Sequence, residues 1–304
     1  MQESYMEQYQ LSNGLMIPAI GMGTWPLRGQ QMESVMQDAL EIGYRLFDTA
    51  DNYSNEDAIG NVLSRNKQLR DEIFIMTKVS DEKSTSVNAP WSSIGKYFYR
   101  TSSYMKQHSA GEVVNMLVEA SLKKLHTDYI DCLIIHWPYP DYLLEIWDAF
   151  IELYKKGILK SIGVSNCRER HLRLIKENFD IAPMVNQISI SPLDTRQTLI
   201  QYCKEENIQV VCYAPLQMMK HSHYANSEIV KQLCDIYGIT AGQLLLAWNR
   251  AKGIIPIPKS TNTDRMKMNF NIDAVRLAKE DVHRLDELNE DYQYLPESRY
   301  CPGL

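Results

Sequence analysis

The sequence predicts an α/β fold in which eight parallel strands alternate with helices and close into a (β/α)8 TIM barrel. Eight short apolar runs lie between residues 20 and 260, each too short for a helix and suited to a strand buried on both faces. Segments with helical spacing separate these runs. With 304 residues, 44% of them hydrophobic, the chain is large enough for one such domain, and an open doubly wound sheet is the alternative.

The apolar runs and the amphipathic segments between them define the individual elements. The predicted strands are "IGMGTW" (20–25), "RLFDTA" (45–50), "IFIMTK" (73–78), "YIDCLIIHW" (129–137), "SIGVSN" (161–166), "VNQISI" (185–190), "VVCYAPL" (210–216) and "GIIPIPKS" (253–260). The clearest helix covers residues 112–125, with one apolar face made of Val114, Leu117, Val118, Leu122 and Leu125. Further helices are predicted over residues 31–42, 56–65, 142–156, 168–178, 194–206, 228–237 and 240–251.

Two segments lie outside this alternation. In "YQLSNGLMIPAI", the pair Asn13-Gly14 stands between apolar-rich runs and predicts a β-hairpin that caps one end of the barrel. Residues 79–110 form a long polar loop that carries Trp91 and several tyrosines, and loops longer than about 15 residues are usually functional or disordered. Because no linker or repeat marks a boundary, we expect residues 1–304 to form one domain with this loop inserted.

Composition excludes several classes of function. The formal net charge is -6 and the basic residues are dispersed, which argues against a nucleic-acid partner. No apolar run approaches the roughly 20 residues that cross a bilayer, and the first residues lack a secretory signal, so we expect a cytoplasmic protein with no membrane partner. The six cysteines form no CxxC pair and have no histidine at ligand spacing, which favours reduced core residues over a disulfide framework or a metal site.

Polar residues recur where predicted strands end. Asp48 ends the second strand and Tyr53 follows it, Lys78 ends the third strand, and His136 lies at the end of the fourth. The carboxyl ends of barrel strands share one rim, so these four side chains can converge although they are far apart in sequence. A buried carboxylate is costly without a cation, and Lys78 is the cation that Asp48 requires.

This cluster has the chemistry of carbonyl reduction. A lysine ammonium beside a tyrosine is expected to stabilise the phenolate, to lower its pKa from about 10 towards neutrality and to let Tyr53 protonate a developing alkoxide. Asp48 would hold Lys78 charged, and His136 could hydrogen-bond the carbonyl oxygen. The alternative is a structural ion pair beside a core histidine.

Five stretches together resemble the signatures of the aldo-keto reductase family, and the match runs from the hairpin almost to the last residue. They are "FDTADNYSNE", "MTKV", "LIIHWP", "SIGVSN" and "IPIPKSTNTDRMKMNF". The resemblance implies a (β/α)8 barrel that binds an extended nicotinamide cofactor without a Rossmann domain, and no G-x-G-x-x-G is present. It further implies that an aldehyde or ketone is reduced to an alcohol, with Tyr53 as general acid, Lys78 and Asp48 as its tuning pair, and His136 as the group that orients the carbonyl.

The resemblance also implies a set of cofactor contacts. The nicotinamide carboxamide would bond to Ser165, Asn166 and Gln187, and its ring would stack on Tyr213. Lys259, Ser260 and Arg265 match the positions that hold the 2′-phosphate, so NADPH is expected rather than NADH. The remaining contacts implied by the family pattern are Gly23, Thr24, Asp48, Leu216 and Asn269.

Substrate choice is expected to depend on aromatic residues around the rim. Trp25 and Trp137 occupy family pocket positions, and Trp91 in the long loop would face them across a bulky or aromatic carbonyl compound. The alternative for the loop is a packed surface appendage or a subunit contact. The family resemblance favours a monomer or weak dimer acting on a small-molecule carbonyl compound.

Two further functions compete with reduction. A strand-end lysine also suits a barrel aldolase that forms a Schiff base on Lys78. A cofactor-binding regulatory subunit with little turnover would keep the same fold.

The stretch "APLQMMKHSH" departs from the family's usual Ser-Pro-Leu-Gly, so we expect the segment that closes over the cofactor to be altered.

Overall fold

The computed structural model of the chain describes residues 7–80 and 107–295. The strands within these ranges are β1 (Gln8–Gln10), β2 (Met16–Pro18), β3 (Met22–Gly23), β4 (Leu46–Asp48), β5 (Phe74–Val79), β6 (Cys132–Ile135), β7 (Ile162–Ser165), β8 (Val185–Ile188), β9 (Gln209–Tyr213) and β10 (Ile255–Ile257). The helices are α1 (Gly29–Ile42), α2 (Glu56–Arg65), α3 (Ala110–Leu125), α4 (Leu143–Lys155), α5 (Glu169–Asn178), α6 (Gln197–Glu205), α7 (Ser222–Ala225), α8 (Glu228–Tyr237), α9 (Ala241–Ala251), α10 (Thr263–Phe270) and α11 (Lys279–Asp286).

Strands β3 to β10 form one parallel eight-stranded sheet in chain order. The first and last strands meet, because the backbone N–H of Gly21 donates to Pro256 O at 3.1 Å and that of Gly23 donates to Pro258 O at 3.2 Å. Residues 256 and 258 are prolines, which have no N–H to return, so the bonds at this seam run in one direction. The predicted (β/α)8 barrel is confirmed, and so is the hairpin, whose strands β1 and β2 pair antiparallel.

Glycine at the seam lets the two strands approach closely. A Cβ on Gly21 would lie 2.6 Å from the Leu46 Cγ and 2.9 Å from the Ile257 Cγ2. A Cβ on Gly23 would lie 2.8 Å from the backbone oxygen of Ile257. These separations are shorter than carbon atoms tolerate, so the closed barrel requires residues without a side chain there.

Helix α3 shows how local sequence sets an element that packs on the barrel. Ser109 begins it with a capping box, in which its hydroxyl accepts from the Glu112 N–H and its own N–H donates to the Glu112 carboxylate. His126 ends it in the left-handed conformation at φ 52°. The buried face includes Val114, Leu117 and Val118, as the apolar spacing predicts, together with Val113, and it packs into the main hydrophobic core.

Differences from the predicted elements are local. Helix α6 begins at residue 197 rather than 194, because a bridge between Ser191 and Asp194 forms a turn first. The short helices α7 and α11 are not predicted by the apolar spacing, since their buried faces are small. Residues 81–106, and with them Trp91 and most of the predicted long loop, lie outside the described residues.

Two other features of the described ranges bear on the compositional predictions. Five cysteines lie there as thiols outside any disulfide: Cys132, Cys167, Cys203 and Cys212 are buried, and Cys234 is half-buried. Across residues 7–80 and 107–295, none of the helices combines the length and apolar character needed to traverse a bilayer.

Substituting Gly60 tests how closely α2 packs on α3. A Cβ at Gly60 would lie 1.9 Å from the backbone oxygen of Lys124, so Gly60→Ala should lower the free energy of unfolding by roughly 1–3 kcal/mol or more. Gly111 is the matched helical glycine, with its nearest neighbour atom at 3.9 Å, and Gly111→Ala should be neutral or stabilising by up to about 1 kcal/mol. Urea denaturation of both variants measures the difference, and equal effects would contradict this packing.

Candidate active site

A buried ion pair lies at the carboxyl ends of two neighbouring barrel strands. Asp48 is the last residue of β4, and Lys78 lies one residue before the end of β5. The Lys78 Nζ donates to Asp48 Oδ1 at 2.7 Å and to the backbone oxygen of Thr49 at 2.7 Å. From β8, across the barrel, Gln187 Nε2 donates to the same Asp48 oxygen at 2.6 Å. The lysine is therefore the cation that the buried carboxylate was predicted to need.

Burial acts on both members of this pair. The side chains of Lys78 and Asp48 are 1% and 5% exposed. Loss of hydration raises the pKa of Asp48 and lowers the pKa of Lys78, while their mutual attraction and hydrogen bonds act in the opposite direction. The short charge-assisted bond and the additional donors favour the ionised pair.

Tyr53 lies beside this pair on the 3₁₀ turn Asp51–Tyr53 that follows β4. The Lys78 Nζ is 4.9 Å from the centroid of its ring. The ring centroids of Trp25 and His136 lie 5.0 and 5.9 Å from the Tyr53 ring centroid. The structure thus brings together the four polar residues that the sequence places at strand ends.

The buried side-chain amide of Asn55 fixes the turn that carries Tyr53. Asn55 is 1% exposed, and its Oδ1 accepts from the Thr49 hydroxyl at 2.6 Å. Its Nδ2 donates to Thr24 Oγ1 and to the backbone oxygen of Leu27, both at 3.0 Å. These groups are shielded from water, so breaking their bonds to the amide would leave several polar atoms unsatisfied. The bonds therefore keep the turn in one conformation.

The protonation state of Tyr53 differs from the sequence-based prediction. Burial raises the pKa of Tyr53 well above its ordinary value, and the negative charge of Asp48 adds to the rise. The prediction that Lys78 lowers this pKa towards neutrality is therefore wrong. Since the lysine charge is paired with Asp48 at 2.7 Å, its field does not offset the cost of burying a phenolate. Tyr53 is protonated at neutral pH, which is the form that can donate a proton.

His136 follows β6 and carries a neutral ring at physiological pH. Burial, together with the nearby charge of Lys78, holds the pKa of this ring well below its ordinary range. Its Nδ1 lies 2.6 Å from the Ser80 Oγ, which fixes the orientation of the ring. The other nitrogen, Nε2, forms no hydrogen bond within the part of the chain that the structure describes. A neutral imidazole with one free nitrogen can donate to, or accept from, a carbonyl compound.

Predicted cofactor residues meet at the ends of β7, β8 and β9. The Ser165 hydroxyl donates to the backbone oxygen of Gln187 at 2.8 Å. Asn166 adopts the left-handed conformation at φ 57°, which asparagine tolerates, and its Nδ2 donates to Ser165 Oγ and to the backbone oxygen of His136, each at 3.1 Å. The Tyr213 hydroxyl donates to Asn166 Oδ1 at 2.9 Å. The result is a pair of side-chain amides beside an aromatic ring.

A second group of predicted cofactor residues lies where β10 leads into α10. Ser260 is buried, and its hydroxyl bonds to the backbone of Asn262, whose side chain caps the helix by accepting from the Arg265 N–H at 2.9 Å. Asn269 is buried further along the helix. The side chains of Lys259 and Arg265 are exposed, and neither forms an ion pair with any residue in 7–80 or 107–295. Unpaired cations beside a helix N-terminus suit a phosphate group.

The donor set of these two groups fits a nicotinamide dinucleotide. A carboxamide has both donors and acceptors, and the side-chain oxygens of Asn166 and Gln187 can accept from its N–H groups, while their own amide hydrogens are donated within the protein. The Tyr213 ring offers a surface for a flat heterocycle. At the other end, Lys259 and Arg265 supply the charge that a phosphate requires.

The other predicted cofactor residues differ in their burial and in whether their polar groups are already bonded within the protein. Gly23 lies at the barrel seam, and Leu216 is half-buried after β9. Thr24 is fully buried, and its hydroxyl already donates to the backbone oxygen of Asp48 at 2.9 Å. Thr24 therefore serves first to join the loop after β3 to the end of β4.

The three predicted substrate residues differ in their exposure and surroundings. Trp25 is 38% exposed and lies against Tyr53, as a pocket wall would. Trp137 is 6% exposed and packs into the main hydrophobic core. Trp91 lies outside the described residues. Of the two that are described, Trp25 is therefore exposed beside Tyr53, whereas Trp137 is buried.

Sequence reasoning missed two polar residues that contact the cluster. Ser80 bonds to the His136 ring, and a signal for it exists, because its spacing of two from Lys78 puts both side chains on the same face of a strand. Arg28 donates from Nε to the backbone oxygen of Tyr53 at 3.2 Å, and its guanidinium lies 5.8 Å from the Trp25 ring centroid. Its position three residues past the end of the apolar run gave no such signal.

Asp51 is a third residue that sequence reasoning missed. Its Oδ1 is buried and accepts no hydrogen bond from the described residues. Burial raises the pKa of Asp51 to about 7, and the charge of Glu56 adds to the rise, while hydrogen bonding from Ser80 opposes it. A carboxyl group that titrates near neutrality thus lies two residues before Tyr53.

The fold and this cluster together define a barrel enzyme, and comparison with known proteins places it among oxidoreductases. The aldo/keto reductase family profile matches residues 19–290, and the chain belongs to this family. Methylglyoxal reductase DkgA of Escherichia coli is 31% identical over 290 residues, which cover 95% of each chain. Glyoxal reductase of Bacillus subtilis is 31% identical over 297 residues, covering 97% of this chain and 98% of that protein.

Solved structures agree with this assignment. An aldo-keto reductase from a Medee basin deep-sea metagenome library superposes with a TM-score of 0.81 at 31% identity and covers 95% of this chain and 97% of its own. An aldo-keto reductase of Bombyx mori, solved in complex with NADP, gives a TM-score of 0.81 at 26% identity, covering 97% of this chain and 99% of its own. The expectation of a nicotinamide cofactor is confirmed at the level of the family.

The titration of Asp51 predicts a pH-dependent stability. Its folded-state pKa of about 7 exceeds the value of about 3.9 in an unfolded chain, so the folded state binds more protons in that window and loses stability as the pH rises through it. Relative to the parent chain, Asp51→Asn should therefore gain about 1–3 kcal/mol of unfolding free energy between pH 5 and pH 8, after allowance for partial exposure.

Urea denaturation at the two pH values measures this change. Asp57→Asn, the same substitution at an exposed position in the first turn of α2, is the control and should show an equal effect at both pH values. An Asp51→Asn effect that does not vary with pH would contradict the burial of this carboxyl group.

Proposed function

We propose that the protein reduces an aldehyde or ketone to the corresponding alcohol with NADPH. The observation that carries this proposal is the meeting of a protonated tyrosine and a neutral histidine beside one buried ion pair. Tyr53, His136 and the Lys78–Asp48 pair converge on one rim of the barrel, with ring and charge separations of 4.9 to 5.9 Å around Tyr53. Both rings can offer a proton to the same carbonyl oxygen.

In the proposed reaction, a bound reduced nicotinamide supplies the hydride. Tyr53 gives its phenolic proton to the carbonyl oxygen as negative charge develops there. His136 donates a hydrogen bond to the same oxygen and orients the carbonyl group. Lys78, held by Asp48 and by the backbone of Thr49, stabilises the phenolate that remains on Tyr53 after proton transfer.

Two separate groups of residues in this chain are suited to the two ends of the cofactor. We assign Ser165, Asn166 and Gln187 to the carboxamide and Tyr213 to the face of the nicotinamide ring. Lys259, Ser260 and Arg265, with Asn269 beyond them, are assigned to the adenosine end with its 2′-phosphate. The absence of a carboxylate partner for the two cations, within the described residues, supports NADPH over NADH.

The competing functions fit the site less well. A Schiff-base nucleophile must touch its substrate, whereas Lys78 is 1% exposed and its ammonium is bound by Asp48 and Thr49. A regulatory subunit with little turnover would have no need of a protonated Tyr53 beside a neutral His136. Because the matched relatives are named for methylglyoxal and glyoxal, we propose small aldehydes, and 2-oxoaldehydes first, as the substrates to test.

Removing one oxygen atom from Tyr53 tests the proton transfer. Tyr53→Phe keeps the ring contacts but removes the proton, so kcat/KM for methylglyoxal reduction should fall by roughly 10²–10⁴ while the Kd for NADPH changes less than about threefold. Loss of NADPH absorbance measures turnover, and quenching of protein fluorescence measures binding.

Tyr154→Phe is the matched control for that experiment, because Tyr154 lies in α4 away from the cluster and should keep parental activity. Unchanged turnover in Tyr53→Phe would remove this residue from the mechanism. If the parent chain binds NADPH but reduces no aldehyde or ketone, the regulatory function is favoured instead. A substrate adduct trapped on Lys78 by borohydride would favour the aldolase.

The cofactor preference has a separate test in the cations near α10. Arg265→Ala should raise the Kd for NADPH by roughly 10–100-fold, as expected for loss of a charge-assisted hydrogen bond, and leave the Kd for NADH nearly unchanged. Lys267→Ala removes the same charge from an exposed position on the same helix and should affect neither cofactor. Equal weakening of NADPH and NADH by Arg265→Ala would contradict a 2′-phosphate contact.

A further inference from the structure

Arg28 lies beside the turn that carries Tyr53. Its Nε donates to the backbone oxygen of Tyr53 at 3.2 Å, and its guanidinium carbon is 5.8 Å from the Trp25 ring centroid. The same Trp25 ring lies 5.0 Å from the Tyr53 ring, measured between centroids. Arg28 and Tyr53 are half-buried and Trp25 is exposed, so this part of the rim is open to a small molecule. A substrate that reaches the phenol of Tyr53 therefore passes close to a guanidinium group.

Most of the hydrogen-bonding capacity of this guanidinium is unused. All of its nitrogens carry N–H donors, yet within the described part of the chain only Nε has an acceptor, and Nη2 is buried without a partner. The acidic residues next to Tyr53 do not neutralise it. Glu56 pairs with Lys124 instead, and among the described residues no ion pair joins Asp51 to Arg28. A partly buried cation with unused donors is costly unless an anion binds it.

Helix α1 adds positive potential next to this guanidinium. Arg28 is the N-cap residue of α1, its backbone is extended, and its side chain does not cap the helix. The first turn of this 14-residue helix contains no acidic residue, so the partial positive charge of its N-terminus is not offset there. A guanidinium with free donors beside a helix N-terminus favours an oxyanion.

We propose that Arg28 is a specificity-determining residue that selects carbonyl compounds with an oxyanion group, a carboxylate or a phosphate, at the end remote from the carbonyl. This inference rests on the proposed reductase function. The carbonyl oxygen is placed at Tyr53 and His136, the carbon chain lies along Trp25, and the oxyanion accepts two parallel hydrogen bonds from the guanidinium. Because this contact is the same before and during the reaction, it lowers KM and leaves kcat nearly unchanged.

Aldehydes that differ in charge test this selection. With NADPH, the parent chain should reduce at least one of 4-oxobutanoate, 5-oxopentanoate and 6-oxohexanoate with a kcat/KM roughly 10–100-fold above that of its methyl ester, and the difference should lie in KM. Glyceraldehyde 3-phosphate compared with glyceraldehyde measures the same preference for a phosphate, and the larger preference identifies the oxyanion. Arg28→Gln should abolish the preference and reduce the neutral aldehydes within about threefold of the parent rate.

Two variants serve as controls for these rates. Arg28→Lys keeps the charge but not the planar fork and should keep part of the preference. Arg65→Gln removes an exposed arginine from α2 and should behave like the parent. A parent chain without any preference for charged aldehydes, or a preference that survives in Arg28→Gln, would overturn the proposal. So would an equal loss of kcat for charged and neutral aldehydes, which would make Arg28 a support for the tyrosine turn, or a weaker Kd for NADPH with unchanged selectivity, which would assign the guanidinium to the cofactor pyrophosphate.

Binding without turnover separates this inference from the reductase function. Isothermal titration calorimetry of the NADPH complex with the hydroxy acids of the same three lengths, and with their methyl esters, should show a preference for at least one acid that Arg28→Gln loses. If this preference is present in a chain that reduces no aldehyde, the reductase function fails and the anion site stands. If neutral aldehydes are reduced but charge affects neither rate nor binding, the inference about Arg28 fails alone.

Discussion

The buried ion pair between Lys78 and Asp48 is the interaction on which the rest of the site depends. Removing two charges from water costs several kcal/mol per ion in a real protein, roughly, so the pair persists only if its remaining hydrogen-bonding capacity is met. Gln187 and the backbone of Thr49 meet it, at 2.6 and 2.7 Å. These partners come from β4, β5 and β8, and β8 lies across the barrel from β4. A shift of any one strand would leave a buried charge unpaired, so the chemistry at the rim is tied to the closure of the barrel.

The buried Lys78–Asp48 pair lies beside two rings, those of Tyr53 and His136, whose protonation depends on the same burial. Burial has the largest effect on the protonation of Tyr53 and His136, and the charge of Asp48 on the first and of Lys78 on the second acts in the same direction, so both rings are driven towards their neutral forms. Two neutral donors interact only moderately with a neutral carbonyl group but strongly with the negative oxygen that forms when a hydride is added. In the proposed reaction their stabilisation is therefore concentrated on the transition state, which is where it would increase the rate.

The sequence predicts the positions of the site residues better than their protonation states. Apolar runs locate the ends of the barrel strands, and Asp48, Lys78 and His136 are placed correctly because a strand end is a property of the local pattern. The pKa of Tyr53 depends on its burial and on nearby charges, which no sequence pattern contains, and there the prediction is wrong. Ser80 could have been found from its spacing to Lys78, whereas no sequence pattern signals the burial that raises the pKa of Asp51. Likewise α6 begins late because a tertiary turn forms first.

Tyr53 is not on a strand, and its position needs a separate explanation. Thr49 supplies it, because the backbone oxygen of Thr49 binds the Lys78 ammonium while its hydroxyl binds Asn55. Asn55 in turn holds Thr24 after β3, so the two loops that flank the tyrosine turn share one buried amide. The ion pair and the turn are thus parts of a single hydrogen-bonded unit. A displacement of Tyr53 relative to Lys78 would have to break buried bonds on both sides of Thr49, which explains how a residue in a short 3₁₀ turn can keep the fixed separation that the proposed proton transfer demands.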